Sequence, residues 1–243
     1  MKIGLLKRTH SRALPSARAL KASFAALLGA SLLFGHALAG GGIEVPIKPS
    51  PQGPPEGWQV KEWKGKADFK VVKEDFGPAI HLKSERTSSA LYKDVEFELK
   101  DYPYLSWKWK VTALPQGADV REKSKDDQAA QVYVIFPKWP AMVNSKVVGY
   151  IWDTSAPAGS SVRSTKTGNT RYMVLKSGPD GLGAWHSETR NVYEDYKKLF
   201  NEEPPRIGKV SVMIDSDDTR SSAESFIGDI RFSNAPPSGK PNP

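Results

Sequence analysis

The sequence predicts a mainly β fold: a two-sheet antiparallel β-sandwich of the jelly-roll type with one short helix. The clearest sign is the run LSWKWKV at residues 105–111, where apolar and polar residues alternate so that every second side chain faces the same side of a strand. Further β-rich runs follow one another along the chain, separated by turn residues. Many short strands with a single helix are typical of a sandwich.

The predicted strands differ in how their apolar residues are arranged. Trp107 and Trp109 share the apolar face of one strand and are predicted core residues. Two runs, 132–136 and 210–214, are apolar on both faces, which predicts central and fully buried strands. The predicted strands lie at residues 58–63, 69–72, 79–82, 90–99, 105–111, 129–136, 147–152, 172–175, 210–214 and 226–232.

The one convincing helix is predicted at residues 193–200. Its apolar residues Tyr193, Tyr196, Leu199 and Phe200 have the spacing of one stripe against a sheet, and the proline pair that begins at Pro204 stops the helix. Residues 153–169 are rich in small polar side chains and are predicted to form a long mobile loop.

The ends of the chain have their own compositions. Basic side chains precede an uncharged apolar stretch that ends at Ala39, the pattern of a secretory signal peptide over residues 1–39. Residues 40–57 are rich in Pro and Gly and are predicted to be a linker to a β-sandwich domain at 58–233, which a flexible tail follows at 234–243. We expect export to the periplasm or the extracellular space, with no membrane span after cleavage; an uncleaved anchor remains the alternative.

Charge and cysteine content exclude several classes of protein. The whole chain carries a net charge of +8, but residues 1–39 hold six basic and no acidic side chains. The remainder has 29 Lys and Arg and 27 Asp and Glu, which gives it a net charge of +2. A nucleic-acid partner is not expected of a nearly neutral domain. The chain has no cysteine, which excludes disulfides, thiolate nucleophiles and Cys-ligated zinc.

Several short motifs, in their order along the chain, resemble an exported bacterial family, the domain of unknown function 3047. The motifs are LSWKWKV at 105–111, Leu114-Pro115, KDDQAA at 125–130, RNV at 190–192 with Asp195-Tyr196, and DSDDT at 215–219. The resemblance covers residues 58–233 and implies a jelly roll similar to carbohydrate-binding modules. It implies no activity, because fold alone does not fix function.

An aspartate group follows a predicted buried strand. Asp215, Asp217 and Asp218 could gather oxygen ligands for a hard cation, which makes a structural calcium ion the candidate cofactor. A second acidic pair, Asp126-Asp127, lies at the entrance of another predicted strand. The alternative for all of these carboxylates is that they form Asx turns and cap backbone amides of the loops.

The candidate ligand-binding residues are polar side chains together with one aromatic ring. Asp127, Arg190, Asp217 and Asp218 beside Trp152 would form a polar pocket suited to a sugar, which stacks on aromatic rings and hydrogen-bonds to charged groups. Arg190 is also expected to pair with one of the aspartates at the strand ends.

A non-enzymatic binding domain for a carbohydrate or cell-envelope glycan is the favoured function, and no residue is assigned a catalytic role. Trp139, in a loop-like stretch, is a second candidate for an exposed aromatic platform. One alternative is a glycan hydrolase or lyase that uses Asp126 or Asp127 together with Asp217 or Asp218. The other is a structural or adaptor protein of the envelope, which would expose an apolar patch.

Overall fold

The computed structural model describes residues 41–51 and 53–237, and it confirms a mainly β fold built from two sheets. The predicted signal peptide at 1–39 lies outside the described residues. No helix in the described part of the chain has the length and apolar character that a membrane span requires. The strands are β1 (Gly42–Glu44), β2 (Gln59–Lys64), β3 (Asp68–Glu74), β4 (Gly77–Glu85), β5 (Ser88–Phe97), β6 (Tyr104–Ala113), β7 (Ala130–Phe136), β8 (Lys146–Asp153), β9 (Ser161–Arg163), β10 (Thr170–Ser177), β11 (His186–Asn191), β12 (Ile207–Asp215) and β13 (Ser222–Ser233).

One sheet has the strand order β11-β6-β13-β4-β3, and β1 pairs with β13 beside this path. The other has the order β2-β5-β12-β7-β8-β10-β9. The predicted central strands β7 and β12 are neighbours in the interior of this second sheet, which confirms what their two apolar faces indicate. The strand pairs are antiparallel, as predicted, with one exception: β8 and β10 run parallel.

The core between the sheets is rich in aromatic side chains. Along β6 every second residue is buried, including Trp107 at 1% and Trp109 at 0% exposure, as the alternation predicts. The Trp107 ring lies 5.3 Å from that of Tyr150 on the opposite sheet. Burial of one such large side chain stabilises the fold by about 3 kcal/mol.

The helix predicted at 193–200 is present as Val192–Phe200, which we call α2 because a single helical turn, α1 (Ala141–Asn144), precedes it. α2 begins after Asn191, whose side chain accepts a hydrogen bond from the Glu194 amide at 3.1 Å. It ends at Asn201, which has a left-handed backbone with φ of 54°. Tyr196 is fully buried against the core.

Two segments predicted to lack structure each contain a short strand. Residues 40–57 are predicted to be a spacer, yet Gly42–Glu44 pairs with β13, and Val45 and Ile47 are only 2% and 5% exposed. Burial of these two apolar side chains outweighs the Gly and Pro content around them. Residues 153–169 are predicted to be a mobile loop, but β9 forms inside them and pairs with β10.

Candidate functional site

The predicted aspartates meet at one end of the seven-stranded sheet. Asp215 ends β12, Asp127 lies three residues before β7, and Asp217 follows in the turn after β12. The carboxylates of these three residues each offer an oxygen, and the offered atoms all lie within 4.8 Å of one another. We call Asp127, Asp215 and Asp217 the aspartate cluster. The cluster differs from the predicted metal ligands in containing Asp127 instead of Asp218, and metal binding by these residues stays a prediction.

Asp127 fixes the shape of the turn after β12. Its Oδ2 accepts hydrogen bonds from the Thr219 amide at 2.7 Å and from the Thr219 hydroxyl at 2.6 Å, and its Oδ1 accepts one from the Asp218 amide at 3.2 Å. The predicted alternative, in which these carboxylates cap loop amides, therefore describes Asp127.

Charge is unevenly compensated around the cluster. Lys166 Nζ lies 2.5 Å from Asp218 Oδ2 but 4.0 Å from Asp215 Oδ2. Burial, together with the neighbouring Asp217 and Asp127, raises the pKa of Asp215 to about 10. The nearby acidic groups make the charged form of Asp215 costly.

Arg190 does not join the aspartates at the strand ends, and the predicted ion pair with them is wrong. Its guanidinium binds Asp195 of α2, with Nη2 to Oδ1 at 2.5 Å and Nε to Oδ2 at 2.9 Å. The Tyr150 hydroxyl donates to the same carboxylate at 2.9 Å. Because α2 begins immediately after β11, it brings Asp195 next to Arg190. The hydrogen bond with Asp195 raises the pKa of Arg190.

Trp152 is not an exposed platform. It is fully buried, its ring lies 6.0 Å from that of Trp109, and its Nε1 donates to the Gly178 carbonyl at 3.0 Å. On β8 it shares the inward face with Tyr150, so the pocket predicted from Arg190, Trp152 and the aspartates does not form.

Trp139 is the exposed aromatic residue that the sequence predicts. It is 88% exposed and lies in the loop between β7 and β8. The neighbouring Lys138 belongs to the wall of a cleft of about 410 Å³, and Asn144 both lines this cleft and donates its side-chain amide to the Trp139 carbonyl at 2.9 Å. We call this depression the helix-end cleft. It is lined by Phe136, Pro137, Lys138, Asn144, Lys146, Tyr196, Glu202, Glu203 and Pro205.

The two carboxylates of the helix-end cleft are held in their ionised form. Glu202 Oε1 accepts from Tyr196 at 2.6 Å and pairs with Lys146 Nζ at 2.6 Å. Lys146 and then Tyr196 hold the pKa of Glu202 below its usual range. Hydrogen bonds from Tyr193 and Lys197 lower the pKa of Glu203 in the same way. The sequence does not single out either glutamate, because its only signal is their position between the predicted helix and the prolines that end it.

The outer face of the six-stranded sheet also carries aromatic side chains, but they are covered. Phe226 is stacked on His81 at 4.3 Å and has Lys110 Nζ 4.2 Å from its ring centre. Trp185 is packed edge-on against Phe76 at 4.8 Å and lies 4.8 Å from the same ammonium group. Trp139 is far more open to a ligand than these half-buried rings.

Residues 56–231 match the model of a protein family of unknown function, DUF3047. The chain belongs to this family. The match confirms the resemblance that the short motifs indicate, and the DUF3047 region includes both the aspartate cluster and the helix-end cleft. No protein with curated annotation is significantly similar to the chain.

Among solved structures, the DUF3047 domain is similar to two carbohydrate-binding modules of cellulosomal cellulases from Clostridium thermocellum. The family 11 module is 8% identical, with 79% of this chain and 95% of that chain covered and a TM-score of 0.42. The family 30 module is 11% identical, with 79% and 96% covered and a TM-score of 0.43. Similarity at this level does not transfer a ligand or a binding residue to the DUF3047 domain.

Proposed function

We propose that this domain is exported and binds a carbohydrate or cell-envelope glycan, without converting it, in the helix-end cleft. The combination of side chains supports this ligand class. Sugars offer apolar ring faces and many hydroxyls, so their sites combine an open aromatic ring with charged hydrogen-bonding groups. Trp139 supplies the open ring, and two residues of the cleft wall supply donors: Lys138, its neighbour in the chain, and Asn144.

The exposed ring of Trp139 beside the helix-end cleft is the observation that carries the proposal. Within this cleft, the lowered pKa values of Glu202 and Glu203 support binding rather than hydrolysis. A glycosidase needs one carboxylic acid that is protonated at its working pH so that it can protonate the leaving oxygen. Both glutamates have lowered pKa values, because each is hydrogen-bonded to a tyrosine and a lysine. They act as ionised acceptors for sugar hydroxyls, a role that serves binding.

Export is supported by the sequence of residues 1–39. Their basic start, apolar stretch and small-residue ending are those of a signal peptide. A periplasmic or extracellular location would place the domain where envelope glycans are found. N-terminal sequencing of the protein recovered from the periplasmic or culture fraction tests this part: a mature chain that begins at residue 40 is expected, and a cytoplasmic full-length chain would refute it.

The test of the glycan site is a comparison of two exposed tryptophans. Trp139→Ala removes the platform beside the cleft, whereas Trp63→Ala removes a 58% exposed ring from β2, an edge strand of the same sheet. Isothermal titration against a panel of envelope oligosaccharides should show Kd raised about tenfold by Trp139→Ala, which corresponds to about 1.4 kcal/mol. Trp63→Ala should bind as the unmodified protein does.

Three results would contradict the proposal. Equal affinity of both variants would remove Trp139 from the site. New reducing ends or unsaturated products in the titrated glycans would identify the hydrolase or lyase alternative. Absence of binding to every glycan would favour the adaptor alternative, in which Trp139 contacts another envelope protein.

A further inference from the structure

The aspartate cluster joins two parts of the chain, the segment before β7 and the end of β12 with its turn, through acidic side chains that are largely removed from water. Asp127 is 0% and Asp215 is 3% exposed, and the side chain of Asp217 is 15% exposed. With the offered oxygens within 4.8 Å of one another, three negative charges would repel strongly in an environment that screens them poorly. A positive charge or a proton is needed between them.

A second observation lies inside the cluster. Asp215 Oδ1 is fully buried and has no hydrogen-bond donor within reach. An unpaired carboxylate oxygen in the interior is costly, and most buried polar atoms in folded proteins have a partner.

The nearest ammonium group does not supply this partner. Lys166 Nζ is 4.0 Å from the other oxygen of Asp215, and it is already engaged by Asp218 at 2.5 Å and by the Asp126 carbonyl at 3.2 Å. Lys64 reaches only Asp217, at 3.9 Å, and its side chain is 67% exposed, so water screens its charge.

The surrounding turn is built to hold the cluster in place. The Thr219 and Asp218 amides anchor Asp127, and the Asp215 amide donates to the Gln128 carbonyl at 3.1 Å. The C-terminal end of β12 and the segment before β7 are therefore fixed relative to each other before any ion binds. Such preorganisation lowers the cost of binding an ion.

We propose that Asp127, Asp215 and Asp217 bind one divalent hard cation and that calcium is the preferred ion. All the offered atoms are carboxylate oxygens, the donors that calcium and magnesium take. Burial of Asp127 and Asp215 leaves little room for the waters that magnesium retains, whereas calcium accepts protein oxygens in irregular geometry. The bound ion would tie the turn after β12 to the segment before β7 and would stabilise this end of the sheet. The inference does not depend on glycan binding.

The test uses the full chain, freed of metal with a chelator and titrated with calcium and, separately, with magnesium by isothermal titration calorimetry. One calcium per chain is expected, bound more tightly than magnesium. At a calcium concentration 100-fold above Kd, the melting temperature should rise by about 5–10 °C through mass action. If the titration shows no heat of calcium binding and the melting temperature does not rise, the proposal is overturned. A proton shared between the carboxylates would then be what stabilises the cluster.

Two variants and one control assign the site. Asp217→Asn and Asp215→Asn should each weaken calcium binding at least about tenfold. Asp217 is the safer position for folding because it is partly exposed. Asp94→Asn, an acidic residue paired with Lys209 on the same sheet and 49% exposed, should leave calcium affinity unchanged. Calcium binding that survives Asp217→Asn, or that Asp94→Asn weakens as much, would place the ion elsewhere and refute the assignment.

Discussion

Replacement of Arg190 by methionine would remove the charged half of a buried ion pair while keeping most of the apolar stem. Arg190 holds Asp195 through two hydrogen bonds of 2.5 and 2.9 Å, and Asp195 is only 6% exposed. After the change, that carboxylate would keep the Tyr150 hydroxyl at 2.9 Å and no cation. Breaking such a pair costs about 3–5 kcal/mol, and the 31% exposure of the Arg190 side chain favours the lower end. The melting temperature should fall by roughly 6–12 °C.

Urea denaturation followed by tryptophan fluorescence measures this loss, with Arg206→Met as the matched control. Arg206 faces Glu98 at 3.4 Å, and both side chains are about half exposed, so its removal should cost less than about 1 kcal/mol. The double change Arg190→Met with Asp195→Asn should recover part of the loss, because it removes the uncompensated charge and keeps an oxygen that accepts from the Tyr150 hydroxyl. A loss for Arg190→Met no larger than for Arg206→Met would refute the reasoning, as would a double variant less stable than the single one.

Two further predictions concern packing and pH. Gly149→Ala should lower the free energy of unfolding by about 1–3 kcal/mol in urea, because its Cβ would lie 2.6 Å from Tyr133 Cε1 and 2.9 Å from Tyr172 Cδ1; a change under about 0.5 kcal/mol would contradict this close packing. Glycan affinity should stay constant as pH falls from neutrality to 4.5, the ordinary glutamate value, and decline only below it. A lowered pKa keeps Glu202 and Glu203 charged until the pH passes below that value, so a loss of affinity above 4.5 in calorimetric titrations would count against both residues.

The main features of the fold follow from periodicity. The unbroken alternation in β6 predicts its buried face, and the apolar runs in β7 and β12 predict their central places in the sheet. The three-residue strands β1 and β9 escape prediction because they are too short to show a period. Their pairing is set by the neighbouring strands β13 and β10.

The site was harder to predict, because it depends on which face each side chain takes. Residues 147–152 are apolar on both faces, so the sequence cannot tell whether Trp152 points inward or outward. In the structure it shares the core with Tyr150. Trp139 lies outside a strand, where no such ambiguity arises, and its exposure follows directly from its polar and proline neighbours.

The aspartate cluster was predicted in part for a similar reason. Asp127 and Asp215 are 88 residues apart in the sequence, and only the pairing of β7 with β12 brings their segments together. That both lie near the ends of buried strands was visible in the sequence. Which of Asp217 and Asp218 faces the cluster depends on the turn itself, and that turn directs Asp218 to Lys166.

The geometry of β12 keeps the two proposed sites apart. The strand begins at Ile207, two residues after Pro205 of the helix-end cleft, and ends at Asp215 of the aspartate cluster. Nine residues at about 3.3 Å per step place its ends about 26 Å apart. A bound cation therefore cannot touch a glycan in the cleft and can act on it only through the stability of the shared sheet. Calcium dependence of glycan affinity in a folded protein would require a rearrangement of β7 and β12, whose buried, fully paired centre opposes such a change.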